Sequence, residues 1–304
     1  MLQAIQASRP TPAPAPTPTA SANTSSYAAG WAAPSQLARP PLLSAGSAVA
    51  ARSTEGDSIP ASTERTKESA LLAADVYKDT PAPPAGFRVA SDSELAQLNL
   101  KPEVLERAGS SFRARVYATG EGENTRYVVA FRGSSSGEDW KNNFQQAAGA
   151  GSESYAKALA IGERLARSDA SVTITGHSLG GGLAAATAIA SGREADTFNA
   201  AGLSGKTIDA AKAISSAEGQ GGGDVAVQAY NVHGEILSKL QDGGDRVLGA
   251  IVFGPAGLLL DALAAYGARH ELPNVAPDDK GWIARHNPVD RHMIDWVLAG
   301  ARAL

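Results

Sequence analysis

The sequence predicts an α/β fold, a mainly parallel central sheet flanked by helices, formed by residues 59–304 behind a disordered N-terminal segment of residues 1–58. Three observations carry this. Short β-rich runs alternate with helix-spaced runs from about residue 62 onward, the pattern of strands joined through crossover helices. One of these runs, VTITG, passes directly into a helix of small residues through Gly176-His177-Ser178-Leu179-Gly180. The first 58 residues share neither pattern.

That N-terminal stretch is rich in Pro, Ala, Ser and Thr, opens with PTPAPAPTPT after a short lead, and has no acidic residue before Glu55. It offers too little apolar surface to offset the entropy of ordering, so disorder with polyproline character near Pro10 to Pro18 is expected. It reads either as a linker or as an uncleaved export signal, and the character of residues 59–304 behind it favours the second reading. About 245 residues remain, which suits one α/β domain with a sizeable core. Ser62, Thr63 and Glu64 open a helix with Ala70, Leu71, Ala74 and Tyr77 at helical spacing. FRARVYAT and RYVVAFRG, joined by GEGEN, read as a β-hairpin. Helices are expected over residues 138–147 and 152–167. Strands are expected around residues 196–199 and 225–232, with helices between and after them.

Composition excludes several classes of function. A net charge of −4 and a pI near 5.8 give no signal for nucleic-acid binding, which needs a basic surface. With no cysteine, disulfide scaffolds, thiolate nucleophiles and cysteine-ligated metals are ruled out. The longest uncharged apolar run lies between Arg246 and Asp261 and is broken by Gly249, Gly254, Pro255 and Gly257, so no transmembrane segment is expected. MLQAIQASRP lacks the basic start and apolar core of a secretory signal peptide, so export would take a non-Sec bacterial route.

The strongest chemical signal is the G-x-S-x-G pattern itself. In a nucleophile elbow the serine sits on a strained strand-to-helix turn, and glycines flank it because neighbouring backbone leaves no room for a Cβ. The amide end of the following helix then faces the serine and favours a developing oxyanion. A serine hydroxyl needs a base, and the base an acid, which α/β-hydrolases supply in the chain order Ser, acid, His. Glu235, just after the strand ending near Val232, is the favoured acid, with Asp242 its main rival and Asp245 further along. Of the downstream histidines His233, His270, His286 and His292, the last is the favoured base, because it stands just ahead of a terminal helix striped by Met293, Trp296, Val297 and Leu298. His286 is the rival. His177, inside the elbow, is expected to pack or line the pocket.

A metal site from His286, Asp290 and His292 is weighed and set aside for want of a second ligand cluster. Asp278 and Asp279 read as loop residues. GQGGGD (Gly219 to Asp224) lacks the Lys and Ser/Thr of a phosphate-binding loop. The apolar run of residues 247–266 reads as a buried helix pair, or more sharply as a lid or interfacial surface.

VVAFRGS, the Asp139-Trp140 pair with Asn143, TGHSLGG, NVHGEILSKLQD and PVDRH together resemble the class 3 lipases, and specifically bacterial secreted lipase-like effectors, over most of residues 62–304. That resemblance implies the α/β-hydrolase fold and oxyanion-hole amides from Ser134 and Leu179. The chain departs from many class 3 lipases in having Ser134 in place of Thr, and Glu235 in place of Asp, whose extra methylene demands a shifted backbone. The expectation is a serine esterase acting on lipid acyl esters, above all phospholipids, with Ser178, His292 and Glu235 as its triad. No cofactor is implied, peripheral membrane contact is expected, and a secretion chaperone could bind the N-terminus. The alternatives are a headgroup-binding effector that keeps the fold, and a soluble thioesterase or peptidase.

Overall fold

The computed structural model describes residues 59–106, 111–134, 153–241 and 265–304. Residues 1–58, the expected helix over 138–147, Asp139, Trp140, Asn143, Asp242, Asp245 and nearly all of the apolar run 247–266 lie outside them.

Seven strands form one sheet in sequence order: β1 (Phe87–Val89), β2 (Ala114–Thr119), β3 (Arg126–Phe131), β4 (Ser171–His177), β5 (Ala195–Phe198), β6 (Val227–Val232) and β7 (Ala268–Leu272). The first three are antiparallel, with Ala114 opposite Phe131 and Thr119 opposite Arg126 in the expected hairpin. From β3 to β7 every pairing is parallel. Parallel strands need crossovers, and right-handed crossovers between successive neighbours all fall on the same face. Accordingly α4 (Glu153–Ala166), α5 (Leu179–Ser191) and α6 (Gly205–Ala217) pack side by side on one face.

The opposite face is covered from the two ends of the described chain, by α1 (Ile59–Asp75) and the C-terminal helix α9 (Ile294–Arg302). Ala70, Ala73, Trp296, Val297 and Ala301 pack there against Phe198, Val232 and Leu272 of the sheet. Polar bonds fix α1 in register: Ser69 Oγ and the Arg65 guanidinium both donate to buried Asp196 at 2.8 and 2.9 Å, and Thr66 Oγ1 donates to the Tyr230 hydroxyl at 2.9 Å. Short helices α2 (Asp92–Gln97) and α3 (Pro102–Leu105) precede β2, α7 (Ile236–Gln241) follows β6, and α8 (Trp282–His286) follows β7.

The helix after the elbow is buried on all sides, from Leu179 to Ser191. Only small side chains permit that, because α5 lies between the sheet and two helices. A Cβ on Gly162 of α4 would come within 2.7 Å of the Ala190 Cβ, and Thr187 Oγ1 donates across the same contact to the Ala158 carbonyl at 3.0 Å. The sharpest constraint is at Gly180, where a Cβ would stand 2.2 Å from the Phe131 carbonyl oxygen of β3. The clash is with backbone of a central strand, which cannot swing away. Gly180→Ala is therefore expected to lower unfolding free energy by ~3 kcal/mol or prevent folding, by overpacking. Urea denaturation checks this, and a loss under ~1 kcal/mol would mean that the elbow relaxes freely.

Candidate active site

The strand order puts the carboxyl ends of β4, β6 and β7 along one edge of the sheet, where open α/β sheets place their ligands. Ser178 leaves β4 with φ 59° and ψ −126°, a conformation that L-residues rarely adopt. Surrounding bonds hold it there: its N–H donates to the Phe198 carbonyl at 3.0 Å, and its own carbonyl accepts from Gly181 and Ala201 at 2.9 and 3.0 Å. Gly176 makes the turn feasible, since a Cβ there would sit 2.2 Å from the Gly180 carbonyl oxygen.

Ser178 Oγ lies 2.9 Å from His292 Nε2, and His292 Nδ1 lies 2.9 Å from Glu235 Oε2. All three residues are buried. A carboxylate only accepts, so Nδ1 carries the proton donated to Glu235 and Nε2 is left to accept from the serine hydroxyl. His292 occupies a 3₁₀ turn, Asp290–His292, directly ahead of α9. Glu235 follows the His233-Gly234 turn off β6, where Gly234 takes φ 75°.

The longer acid is accommodated by the helix it precedes. Glu235 stands immediately before α7, and its two carboxylate oxygens accept from the Leu237 amide, at 2.8 Å, and the Ser238 amide, as a helix cap does. Burial alone would push the Glu235 carboxyl up, but hydrogen bonding and charge from His292, with the bonds from Ser238 and Leu237, hold it below the usual range. It is therefore ionised at neutral pH.

Two residues that the sequence did not single out complete the arrangement, Tyr77 and Asn199. The backbone carbonyl of His292 accepts from His177 Nε2 at 2.7 Å and from Asn199 Nδ2 at 3.1 Å. Asn199, just past β5 with φ 42°, also accepts the Val232 N–H on Oδ1 at 2.9 Å, so it ties the ends of β5 and β6 to the histidine turn. Because His177 donates through Nε2, its Nδ1 accepts, and the Tyr77 hydroxyl 3.0 Å away supplies the proton. That hydroxyl in turn accepts from Gly133 N–H at 3.1 Å. A run of hydrogen bonds thus leads from the end of β3 through Tyr77 and His177 to the backbone of His292. Burial drives the Tyr77 hydroxyl well above its ordinary range, so it stays protonated and able to donate.

His177 keeps its role only while neutral. Burial, reinforced by the neighbouring His292 charge and only partly opposed by the hydrogen bond to the His292 carbonyl, lowers its pKa to about 3. Between that value and the ~6.5 of an unfolded histidine, the unfolded chain binds a proton that the folded chain refuses, so acid favours unfolding. The wild type is expected to lose stability on acidification from pH 6.5 toward 4 more steeply than His177→Gln, by up to ~1.4 kcal/mol per pH unit. Melting curves across that range check the difference, and parallel slopes would show that His177 titrates freely.

Leu179 opens α5, where its N–H has no acceptor within its own helix. Gly133 packs so tightly here that an added Cβ would lie 3.3 Å from the Ser178 Cβ, which brings the chain of Ser134 alongside the serine. The rival residues stand elsewhere. His286 is exposed, with Nδ1 2.9 Å from the Trp282 carbonyl. His233 pairs with Glu271, and His270 with Gln228. Asp278 and Asp279 are exposed loop residues, the second beside Lys280. Among the described residues no group of three or more His, Asp or Glu is placed to hold a metal ion.

A family model for a phospholipase-like, Tle-like phospholipase domain matches residues 68–278, most of the chain. The chain belongs to the Tle-like phospholipase family. Among its relatives is the extracellular phospholipase A1 of Serratia liquefaciens, 35% identical, with 72% of each chain covered. Similar solved structures include a mutant form of MDLA from Penicillium cyclopium, at 12% identity and a TM-score of 0.36 over 72% of this chain and 82% of that one. Another is the Lip2 lipase of Yarrowia lipolytica, at 14% identity and a TM-score of 0.36 over 71% of this chain and 80% of that one. This Tle-like chain is thus a hydrolase of the lipase and phospholipase class on an α/β-hydrolase fold.

Proposed function

We propose that the Tle-like domain hydrolyses an acyl ester of a membrane glycerophospholipid through Ser178, His292 and Glu235. The observation that carries this is the unbroken hydrogen-bond run from Ser178 Oγ through the His292 ring to the Glu235 carboxylate. Ser178 Oγ attacks the ester carbonyl carbon while its proton passes to His292 Nε2. Glu235 stabilises the imidazolium that forms, and the Leu179 and Ser134 amides hold the oxyanion. The imidazolium then protonates the departing glycerol oxygen, leaving the acyl group on Ser178. A water molecule, deprotonated by His292, attacks the acyl carbonyl, and the imidazolium returns its proton to Ser178 Oγ as the fatty acid leaves. Every proton and bond is accounted for by these residues and water.

The Serratia relative, a phospholipase A1 by name, supports the sn-1 ester as the target bond. The test is product analysis with liposomes whose sn-1 and sn-2 chains differ. The sn-1 acid and the 2-acyl lysophospholipid should accumulate with wild type and be absent with Ser178→Ala. Release of the sn-2 acid would move the target bond, and no acyl release would overturn the reading.

In the same reading residues 59–304 are the catalytic domain and residues 1–58 direct export by a non-Sec route for delivery to a target cell, where a secretion chaperone would engage them. The acid-poor, proline-rich composition of that segment and the extracellular relative support this. Among the described residues no helix is long and apolar enough to cross a membrane. Deleting residues 1–58 should abolish export from the producing cell and leave hydrolysis by the purified protein unchanged. Export that survives the deletion would place the signal elsewhere.

A further inference from the structure

Among the described residues the two most exposed large apolar side chains are adjacent: Trp282 and Ile283, 73% and 79% exposed, on the single-turn helix α8. We propose that this turn is the surface by which the protein docks on an anionic phospholipid membrane, which rests on the phospholipase reading above.

A tryptophan left this exposed has lost most of its favourable burial, and side chains of this kind concentrate where apolar surface meets phospholipid headgroups. Trp282 is also held in place. Its ring packs on the His286 ring at a centroid distance of 4.5 Å, and its carbonyl lies 2.9 Å from His286 Nδ1.

Charge then narrows the choice of partner. Arg285, exposed on the same turn, and Arg291, just beyond it, form no ion pair with a carboxylate among the described residues. Of the nearby acids, Asp279 and Asp295 lie beside Lys280, and Asp278 and Asp290 stand outside α8, so Arg285 is the only Arg, Lys, Asp or Glu on the helix of the apolar pair. The exposed Arg285 guanidinium beside an apolar pair suits a surface that offers hydrocarbon and phosphate together.

The patch is also coupled to the site. The Arg291 guanidinium donates to the Arg285 carbonyl at 2.9 Å, and Arg291 immediately precedes His292. The Pro288 carbonyl accepts from Ile236 N–H at 3.1 Å, next to Glu235. Docking through α8 would therefore set the membrane beside the carboxyl edge of the sheet, where Ser178 waits.

The test uses the full chain carrying Ser178→Ala, so that lipid stays intact, and measures partition onto phosphatidylcholine vesicles with and without phosphatidylglycerol. Adding Trp282→Ala with Ile283→Ala should weaken partition about 10- to 100-fold, and Arg285→Gln should weaken it only where phosphatidylglycerol is present. With Ser178 restored, the Trp282→Ala, Ile283→Ala protein should cleave a water-soluble short-chain ester at the wild-type rate and vesicle lipid more slowly. Partition that changes less than about two-fold overturns the proposal. So does an equal loss on the soluble ester, which would make the turn a support of the site. A wild-type dimer that the double substitution disperses without altering vesicle binding would make it a self-association surface instead. Vesicle binding that follows the patch while wild type cleaves neither substrate would leave the docking surface standing and remove the hydrolase reading.

Discussion

Ser178→Ala is expected to lower ester turnover by about 10⁴- to 10⁶-fold while leaving the fold intact. The loss is large because the substitution removes the only atom that forms a covalent bond with the substrate. In the proposed mechanism the Leu179 and Ser134 amides and the binding surface remain, which is why residual catalysis above that of water should survive. Folding should be spared because the bonds that hold the elbow are backbone bonds. The Phe198 carbonyl, Gly181 and Ala201 contact main-chain atoms of Ser178, and its side chain meets only His292 among the hydrogen bonds described. Alanine suffers the same unfavourable φ as serine, so the strain is unchanged, and the melting temperature should shift by no more than about 3 °C. A fluorophosphonate probe should label wild type and not the variant. Labelling that persists would place the nucleophile elsewhere, and a collapsed melting curve would show that the hydroxyl is structural.

What was legible in the sequence came from short-range constraint. The elbow could be read because its glycines answer clashes within a few residues, as Gly176 does against Gly180. The β2–β3 hairpin alternates over a short turn, and Glu235 follows a recognisable strand. What was missed depends on distant neighbours. β7, ARHEL, is exposed along most of its length and charged, so neither hydrophobic alternation nor β-branching marks it, and its pairing with β6 defines it. Tyr77 looked like part of a helical apolar stripe, yet the structure places it past the end of α1 with its hydroxyl on a histidine 100 residues away. Asn199 closed an expected strand, and only its bond to a carbonyl 93 residues on shows what it holds. The sequence favoured His292 over His286 because it stands just ahead of the terminal helix. What separates them in space is that the 3₁₀ turn carries His292 onto Ser178, while His286 stays on α8.

The roles of base and acid can be separated by combining substitutions. His292→Ala removes the group that takes the serine proton and should cost nearly as much as Ser178→Ala. Glu235→Gln keeps the size of the side chain but removes the charge that fixes the Nδ1–H tautomer and stabilises the imidazolium, so a loss of about 10²- to 10⁴-fold is expected. It also changes a fully buried group whose two oxygens accept from Leu237, Ser238 and His292, and an amide can offer only one acceptor oxygen to these three donors. Some loss of stability, about 1–3 kcal/mol, should accompany the loss of activity. Turnover must therefore be compared at a temperature where both proteins are folded. The decisive measurement is the pair together. If Glu235 acts only through His292, adding Glu235→Gln to His292→Ala should scarcely lower turnover further, because the ring that the carboxylate orients is gone. Losses that instead multiply would mean that Glu235 contributes by a separate route. Asp242→Asn supplies the control seven residues on, and should leave turnover within about three-fold of wild type if Glu235 is the acid. A crippled Asp242→Asn beside a nearly silent Glu235→Gln would transfer the acid role to Asp242 and leave the Glu235 carboxylate as the cap of α7.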